Sequence, residues 1–145
     1  MSQNLIDKGD ILKIYTDGAA RGNPGPAAYA FIFVHDDNII HRESGYLGTA
    51  TNNTAEYQAI IHALRIAGKF HRGHLQVFSD SNLTVQQINK KWKINYPHLS
   101  ELCNEVYHLS QKYEKIEFFH MDRKNLYIQE CDMLCNSQLD KAGFK

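Results

Sequence analysis

The pattern of apolar residues changes abruptly near Asn53, and this change limits the folds that the chain can adopt. Residues 53–67 are almost continuously apolar and rich in Ala, Ile and Leu, which predicts a helix buried on several sides. We expect Thr51 or Asn52 to cap this helix and Gly68 to end it. The part of the chain before the helix instead has the short apolar runs of strands, separated by turn formers: 11–16, 27–34 and 39–47.

The remainder of the chain alternates between strands and helices. We expect strands over 75–79 and 116–120, and helices from Ser81 through Ile88, from Pro97 through Leu109 and over about 128–142. The order is therefore βββαβααβα. Strands 1–3 should form an antiparallel meander, whereas strands 1, 4 and 5 are joined through helices and should be parallel, because such crossovers are right-handed. The predicted fold class is α/β, with a five-stranded mixed sheet flanked by helices.

The chain has 145 residues, which is the size of one ordinary domain. We expect a flexible leader over residues 1–9 and a single domain over residues 10–145. No apolar run approaches the roughly 18 residues that cross a bilayer, and the first residues lack the apolar centre of a signal peptide. We therefore expect a cytoplasmic protein with no membrane association, monomeric and without an organic cofactor. Its three cysteines should be packed thiols.

The net charge gives no hint of a polyanionic partner. Lys and Arg together number 16, as do Asp and Glu, so no net positive field attracts nucleic acid. A nucleic-acid partner would need a local basic patch, and bound cations would have to neutralise part of the acidic charge.

Two aspartates follow predicted strands that should be neighbours. Asp17 comes after strand 1 and Asp80 after strand 4, and ligands of open α/β sheets bind outside the carboxyl ends of parallel strands. Two carboxylates at one edge repel each other, and a shared divalent cation relieves that repulsion. The alternative interpretation gives Asp17 a role in a turn and Asp80 a role in capping a helix.

Two further acidic residues occupy helix starts. Glu56 lies in the first turn of the apolar helix, where an unpaired carboxylate would be costly and no Lys or Arg precedes Arg65 on that helix. Asp132 lies near the start of the last helix. For both, the alternative is a solvated acid that interacts favourably with the helix dipole.

The sequence resembles the type 1 ribonuclease H family over about residues 11–140. The resemblance rests on four blocks in the family's order: Tyr15-Thr16-Asp17-Gly18-Ala19 with Gly22-Asn23-Pro24-Gly25-Pro26, then Thr51-Asn52-Asn53-Thr54-Ala55-Glu56, Phe78-Ser79-Asp80-Ser81, and Cys131-Asp132-Met133-Leu134. It implies an endonuclease that hydrolyses the RNA strand of an RNA–DNA hybrid and leaves 5′-phosphate and 3′-hydroxyl ends. It also implies that Asp17, Glu56, Asp80 and Asp132 hold two Mg²⁺ ions, or Mn²⁺ in their place.

The resemblance also implies how the hybrid is bound. In the family, the positions of Asn23, Asn52, Asn53 and Asn82 contact the minor groove, where the RNA 2′-hydroxyl is exposed. The alternative for these residues is turn and cap formation. A basic stretch with one aromatic residue, Lys90-Lys91-Trp92, suits phosphates of the DNA strand, although it could also be a solvated charge run with Trp92 packed on the core.

The chain departs from the family at two places. Some members carry an extra basic helix where only a few residues separate Lys91 from Pro97, so we expect weaker and strongly salt-dependent hybrid binding. The loop before Asp132 offers three possible catalytic helpers: His120, Arg123 and Asn125. Two alternatives to a ribonuclease H stay open, namely a resolvase- or exonuclease-type nuclease of the same fold and a non-catalytic hybrid-binding module.

Overall fold

The structure, a computed structural model, describes residues 6–144, and within them the predicted order βββαβααβα is confirmed. The strands are β1 (Ile11–Ala20), β2 (Gly25–His35), β3 (Asn38–Ala50), β4 (His74–Ser79) and β5 (Lys115–His120), and the helices are α1 (Asn52–Ala67), α2 (Asn82–Ile88), α3 (Pro97–Ser110) and α4 (Leu126–Lys141). Of the predicted leader, residues 1–5 lie outside the described part of the chain, whereas Ile6 is buried in the core.

The sheet has the predicted mixed topology. The strand order is β3-β2-β1-β4-β5, with β1–β2 and β2–β3 antiparallel and β1–β4 and β4–β5 parallel. The central strand β1 therefore contacts the meander on one side and the parallel pair on the other. The α/β fold class predicted from the sequence is confirmed.

The predicted end of the first strand is wrong. The stretch after Asp17 is dense in turn formers, yet β1 continues to Ala20 and β2 already begins at Gly25. The reason is nonlocal pairing, because Ala19 and Ala20 lie opposite Ala28 and Ala27 in the antiparallel ladder. The parallel ladder with β4 stops earlier, at the pair Thr16–Ser79. Asp17 is therefore inside a strand, at the point where β1 loses one of its two neighbours.

Helices cover both faces of the sheet. Helices α1 and α3 pack on one face around a cluster that includes Phe31, Ile60 and Leu64. Of the helices within residues 6–144, α4 packs on the other face, where Ile128, Cys131, Cys135 and Leu139 are buried. All three cysteines are buried free thiols, as predicted. Within residues 6–144, no helix is both long and apolar enough to span a bilayer.

Helix α1 begins where the sequence places its cap. The Thr51 side chain accepts a hydrogen bond from the backbone N–H of Thr54, which satisfies one of the free donors of the first turn. Of the two predicted candidates, Thr51 is therefore the cap and Asn52 is the first helical residue. With this start the first turn of α1 contains no acidic residue, so the predicted placement of Glu56 in that turn is wrong and Glu56 follows it.

Candidate active site

Three carboxylates meet at the carboxyl ends of β1 and β4. One oxygen each of Asp17, Glu56 and Asp80 lies within 4.8 Å of the others. Asp17 is buried and Asp80 is half-buried. No Lys or Arg side chain within residues 6–144 forms an ion pair with any of the three. The structure therefore concentrates negative charge at a place where protein alone does not neutralise it.

The sheet register brings the two aspartates together. Thr16 and Ser79 are the last residues paired between β1 and β4, so Asp17 and Asp80 follow directly on adjacent strands. Ser81 then caps α2, because its side chain accepts a hydrogen bond from the backbone N–H of Thr84. The chain consequently turns away from the sheet just after Asp80, and the space beyond the strand ends stays open.

Glu56 reaches the same place because α1 crosses β1 at a glycine. A Cβ atom on Gly18 would lie 2.2 Å from both the backbone C and O of Ala55, so only glycine allows this approach. The backbone N–H of Gly18 donates to Oε1 of Glu56 over 3.1 Å. One oxygen of Glu56 is thereby held, and its carboxyl group is directed at Asp17 and Asp80.

The electrostatics of the cluster follow from burial and crowding. Desolvation, together with the charges of Asp80 and Asp132, raises the pKa of Asp17 from 3.8 to about 8. Desolvation likewise raises the pKa of Glu56 well above its ordinary value, with the charges of Asp17 and Asp80 as further causes. In the absence of a cation, these acids retain protons at pH values where ordinary carboxyl groups are ionised.

One atom of the cluster lacks any partner. Oδ1 of Asp80 is buried, and while the neighbouring carboxyl groups are ionised it is the one buried side-chain oxygen or nitrogen within residues 6–144 that has no hydrogen-bond partner. Without a cation, a protonated Asp17 or Glu56 is the donor within its reach. An unsatisfied buried acceptor costs about 1–3 kcal/mol, more when charged. Carboxylate oxygens, one of them without a hydrogen-bond partner, are the ligands that hard divalent cations such as Mg²⁺ or Mn²⁺ prefer. The residues therefore fit the metal that the family implies.

A second group of potential ligands, at the other end of β1, differs in this respect. Nε2 of His35 lies 3.0 Å from Asp10 and 3.6 Å from Asp36. There Nε2 of His35 can donate a hydrogen bond to Oδ2 of Asp10, so this group has a donor from the protein itself. The cluster of Asp17, Glu56 and Asp80 differs, because no basic side chain within residues 6–144 forms an ion pair with it.

Asp132 lies beside the three carboxylates but does not join them. It lines the same cavity of about 440 Å³, and its charge contributes to the raised pKa of Asp17. It is exposed, one turn and a half into α4, and it is outside the group whose oxygens approach within 4.8 Å. The structure thus brings all four predicted acids to one cavity, three of them in close contact.

Two of the predicted substrate-binding asparagines link the loop after β1 to α1. Oδ1 of Asn23 accepts from the backbone N–H of Asn52, and Oδ1 of Asn52 accepts from the backbone N–H of Ala20. Asn52 also lines the cavity. Asn53 is partly buried next to it, and Asn82 is exposed at the start of α2, where its Oδ1 accepts from Gln86.

The predicted basic patch lies on the surface after α2. Lys90 and Lys91 are exposed, and Lys90 has a left-handed backbone with φ of 64° and its Nζ over the ring of Tyr107. Trp92 is 47% exposed, so it does not pack fully on the core. These side chains are available to a partner.

Of the three candidate helpers, the structure brings Arg123 alone to the cavity wall. His120 is exposed at the end of β5 and is not among the residues that line the cavity. Asn125 caps α4, because its Oδ1 accepts from the backbone N–H groups of Tyr127 and Ile128. Asn125 is therefore occupied in starting the helix that carries Asp132.

Three residues near the site were missed by sequence reasoning. Gln129 lines the cavity, Asn136 contacts Asp132 on the preceding turn of α4, and Arg21 contacts Asn136. The i, i+4 spacing of Asp132 and Asn136 on a predicted helix is a signal that could have identified Asn136. Arg21 lies 115 residues away from Asn136 in the chain, and no local pattern could have found it.

Known proteins resemble this chain over most of its length. A family model described as reverse transcriptase-like matches residues 15–137. Ribonuclease HI of Halobacterium salinarum is 36% identical over 137 residues, which cover 94% of this chain and 68% of that protein. The bifunctional protein Rv2228c of Mycobacterium tuberculosis is 36% identical over 133 residues, which cover 90% of this chain but 36% of that protein. The chain thus spans about a third of the mycobacterial relative.

Solved structures show the same fold. The crystal structure of LC11-RNase H1 in complex with an RNA/DNA hybrid superposes with a TM-score of 0.84 and 35% sequence identity, over 90% of this chain and 98% of that one. RNase H1 from Halobacterium salinarum superposes with a TM-score of 0.86 and 34% identity, over 90% of this chain and 98% of that one.

Proposed function

The chain belongs to the type 1 ribonuclease H family of enzymes, and on this premise we propose that it cleaves the RNA strand of RNA–DNA hybrids with metal ions held by Asp17, Glu56, Asp80 and Asp132. The observation that carries the proposal is the meeting of Asp17, Glu56 and Asp80 within 4.8 Å, with one buried Asp80 oxygen left without a partner. A turn or a cap needs no such convergence, so those alternative roles do not account for the cluster.

The proposed metals are two Mg²⁺ ions, with Mn²⁺ as a substitute. Four carboxylates carry up to four negative charges, and two divalent cations balance that number. When bound, such ions supply a water of lowered pKa and neutralise charge on the reacting phosphate. Asp17, Glu56 and Asp80 would hold them from the floor of the cavity, and Asp132 would hold them from its rim on α4.

The proposed reaction needs no covalent enzyme intermediate. The oxygen of a water forms the new bond to phosphorus and the water gives up one proton to the solvent, the bond from phosphorus to the 3′ oxygen breaks, and that oxygen takes up one proton from the solvent. The products carry 5′-phosphate and 3′-hydroxyl ends. Arg123 lines the cavity and can donate hydrogen bonds to a phosphate oxygen, so it is the candidate of the three helpers that the geometry favours.

Selectivity for the hybrid is proposed to come from the two linked asparagines. Asn52 and Asn23 tie the loop after β1 to the first turn of α1, directly beside Glu56. Their amide groups can address a 2′-hydroxyl, which both donates and accepts hydrogen bonds and is absent from DNA. The resemblance to LC11-RNase H1, whose structure contains an RNA/DNA hybrid, supports this substrate. Asn53 at the start of α1 and Asn82 at the start of α2 are proposed to extend the same contact surface.

A cleavage assay on three uniform substrates tests the proposal. We expect the protein to cut the RNA strand of a hybrid with Mg²⁺ or Mn²⁺, to leave duplex RNA and duplex DNA intact, and to be inactive with EDTA. End-labelled products would show the 5′-phosphate and 3′-hydroxyl ends. Cleavage of duplex DNA would favour another nuclease of this fold, and binding without cleavage would favour a non-catalytic module. The monomeric state and the cytoplasmic location stay predictions.

A further inference from the structure

Arg21 joins the loop after β1 to the last helix. Its Nη1 forms an ion pair with Oδ1 of Asp140 over 2.9 Å, and its Nη2 donates to Oδ1 of Asn136 over 3.1 Å and to the backbone O of Asn136 over 3.4 Å. The Arg21 side chain is 32% exposed. A planar fork that contacts two side chains of one helix is held in a defined orientation.

The contact with Arg21 fixes the orientation of the Asn136 amide group. An amide has an acceptor end and a donor end, whereas a guanidinium group has donors only, so Oδ1 of Asn136 must face Arg21. The Nδ2 end then points along α4 toward the preceding turn. There it donates to the backbone O of Asp132 over 3.1 Å and contacts Oδ2 of Asp132 at 3.4 Å. Without Arg21, the contacts with Asp132 alone would hold the amide group.

Asp132 is the member of the proposed metal set that most needs such support. It is exposed on the surface of a helix, whereas Asp17 is buried in the sheet and Glu56 is held by Gly18. Its charge interacts unfavourably with that of Asp17 when both groups are ionised, and an exposed side chain is free to choose a rotamer that points to solvent. A fixed donor on the adjacent turn opposes both tendencies.

We propose that Arg21 is a positioning residue that acts through Asn136 to hold the Asp132 carboxylate toward the metal site. This inference rests on the proposed function, because it assumes that Asp132 takes part in holding the ions. The same contacts would connect the loop that carries Asn23 to Asp132 at the rim of the cavity, since Arg21 and Asn23 are two residues apart.

The chain offers a matched control for the purely structural effect of losing an arginine. Arg42 on β3 also forms an ion pair with α4, through Glu130, so it too ties the meander to this helix. Glu130 does not contact Asn136 in the structure, and the Arg42 pair does not lead to the cavity. A second control is Asp140→Asn, which removes the charge partner of Arg21 and leaves its contact with Asn136 in place.

Mn²⁺ binding to the substrate-free protein, measured by isothermal titration calorimetry, tests the inference independently of catalysis. Loss of a residue that orients a metal ligand typically costs about 10- to 100-fold in metal affinity. We expect Arg21→Ala and Asn136→Ala each to weaken binding of one ion by about 10-fold, and Arg42→Ala and Asp140→Asn to leave it unchanged. Because Arg21 acts through Asn136, the double variant should bind as weakly as Asn136→Ala alone.

The side-chain amide resonances of Asn136 provide a spectroscopic readout. In the unmodified protein they should shift on addition of Mg²⁺, whereas in Arg21→Ala they should lose this response although the fold, followed by backbone amide shifts, is kept. Arg21→Lys should restore the response only in part, because a lysine cannot present a planar fork.

The possible outcomes separate the inference from the proposed function. Additive losses in the double variant, or equal losses in Arg21→Ala and Arg42→Ala, would overturn the role of Arg21. A protein that does not cleave the hybrid but still binds Mn²⁺ with the expected dependence on Arg21 and Asn136 would overturn the proposed function and uphold the positioning role of Arg21. No Mn²⁺ binding by the unmodified protein would overturn both.

Discussion

Oε1 of Glu56 accepts a hydrogen bond of 3.1 Å from the backbone N–H of Gly18, the residue directly after Asp17. The contact joins α1 to β1 at the place where the parallel ladder with β4 has just ended. It also brings two carboxyl groups from elements far apart in the sequence to neighbouring positions. The proposed active site therefore depends on how closely a helix can approach a strand.

Gly18→Ala tests this dependence. The added Cβ would lie 2.2 Å from backbone atoms of Ala55, which cannot move without displacing the first turns of α1. Overpacking of this kind costs about 1–3 kcal/mol in the free energy of unfolding, and the displaced Glu56 should weaken metal binding. Gly9→Ala is the control, since a Cβ there meets no atom within 4 Å. Equal thermal stability of the two variants would contradict the close approach.

Conservative amide substitutions should separate activity from stability. Asp17→Asn and Asp80→Asn each remove a negative charge from the cluster. Loss of a residue that only orients a metal ligand lowers activity by up to about 100-fold. Loss of a proposed ligand should lower the rate of hybrid cleavage by more than that. Because the charge of Asp80 is unfavourable to ionised Asp17 and Glu56, its removal relieves repulsion and should not destabilise the metal-free protein. Cleavage rates and thermal midpoints measure the two effects. Asp36→Asn, at the β2–β3 turn, is the control and should keep full activity.

The stability of the metal-free protein should fall as pH rises. The pKa of Asp17 is raised from 3.8 to about 8 in the folded state, so between these values the folded protein binds a proton that the unfolded chain releases. Its stabilising contribution is complete below pH 4 and is lost as pH passes 8. Thermal midpoints recorded in EDTA from pH 4 to 9 should therefore decline less steeply in Asp17→Asn than in the unmodified protein.

Metal ions should reverse that trend. A cation displaces the protons of Asp17 and Glu56, so it binds better at higher pH, and a ligand that binds only the folded state stabilises it. We expect added Mg²⁺ to raise the thermal midpoint more at pH 8 than at pH 5. A pH-independent shift would argue against the carboxylate cluster as the binding site.

Arg123 and His120 should differ as catalytic helpers. Arg123 lines the cavity, whereas His120 is exposed at the end of β5 and is not part of its wall. We expect Arg123→Ala to lower the cleavage rate by about 10- to 100-fold, comparable to the loss of an outer partner in a metal site, and His120→Ala to change it little. The reverse ranking, measured under single-turnover conditions, would show that the loop rearranges on binding the hybrid.

Lys91 should contribute to hybrid affinity through a phosphate. It is exposed in the compact segment after α2, where the chain has no room for an additional basic helix. Lys91→Ala should weaken hybrid binding and reduce the slope of log affinity against log salt by about 1. The control is Lys112→Ala, because Lys112 lies by Gly68 at the far end of α1 from Glu56. An unchanged salt slope would remove Lys91 from the binding surface.

The order of elements could be predicted because it depends on local patterns. The signals lie within a few residues of the structure that they specify: short apolar runs for strands, longer apolar runs for helices, the cap at Thr51 and the proline that opens α3. The extent of β1 could not be predicted in this way. Its last residues are held by pairing with Ala27 and Ala28, and a scan of local turn formers does not detect a partner strand.

The position of Asp132 shows the same limit. Two buried thiols of α4 contact the backbone of β1. Sγ of Cys131 donates to the backbone O of Tyr15 and Sγ of Cys135 donates to the backbone O of Asp17, each over 3.4 Å. The sequence predicted packed cysteines but not what they contact. The position of Asp132 relative to the other acids depends on how α4 packs against β1, and that packing has no local sequence pattern.

The sequence by itself determined the elements, their order and the identity of four acidic residues, since periodicity, caps and short motifs are properties of neighbouring residues. Tertiary structure alone decided that carboxylate oxygens of three of these acids lie within 4.8 Å of one another while the fourth acid lies at the rim of the cavity. It also decided that Arg21 contacts α4 and that an Asp80 oxygen is left without a partner. The physical reason is that distance, burial and unsatisfied hydrogen bonds arise only when remote segments pack together.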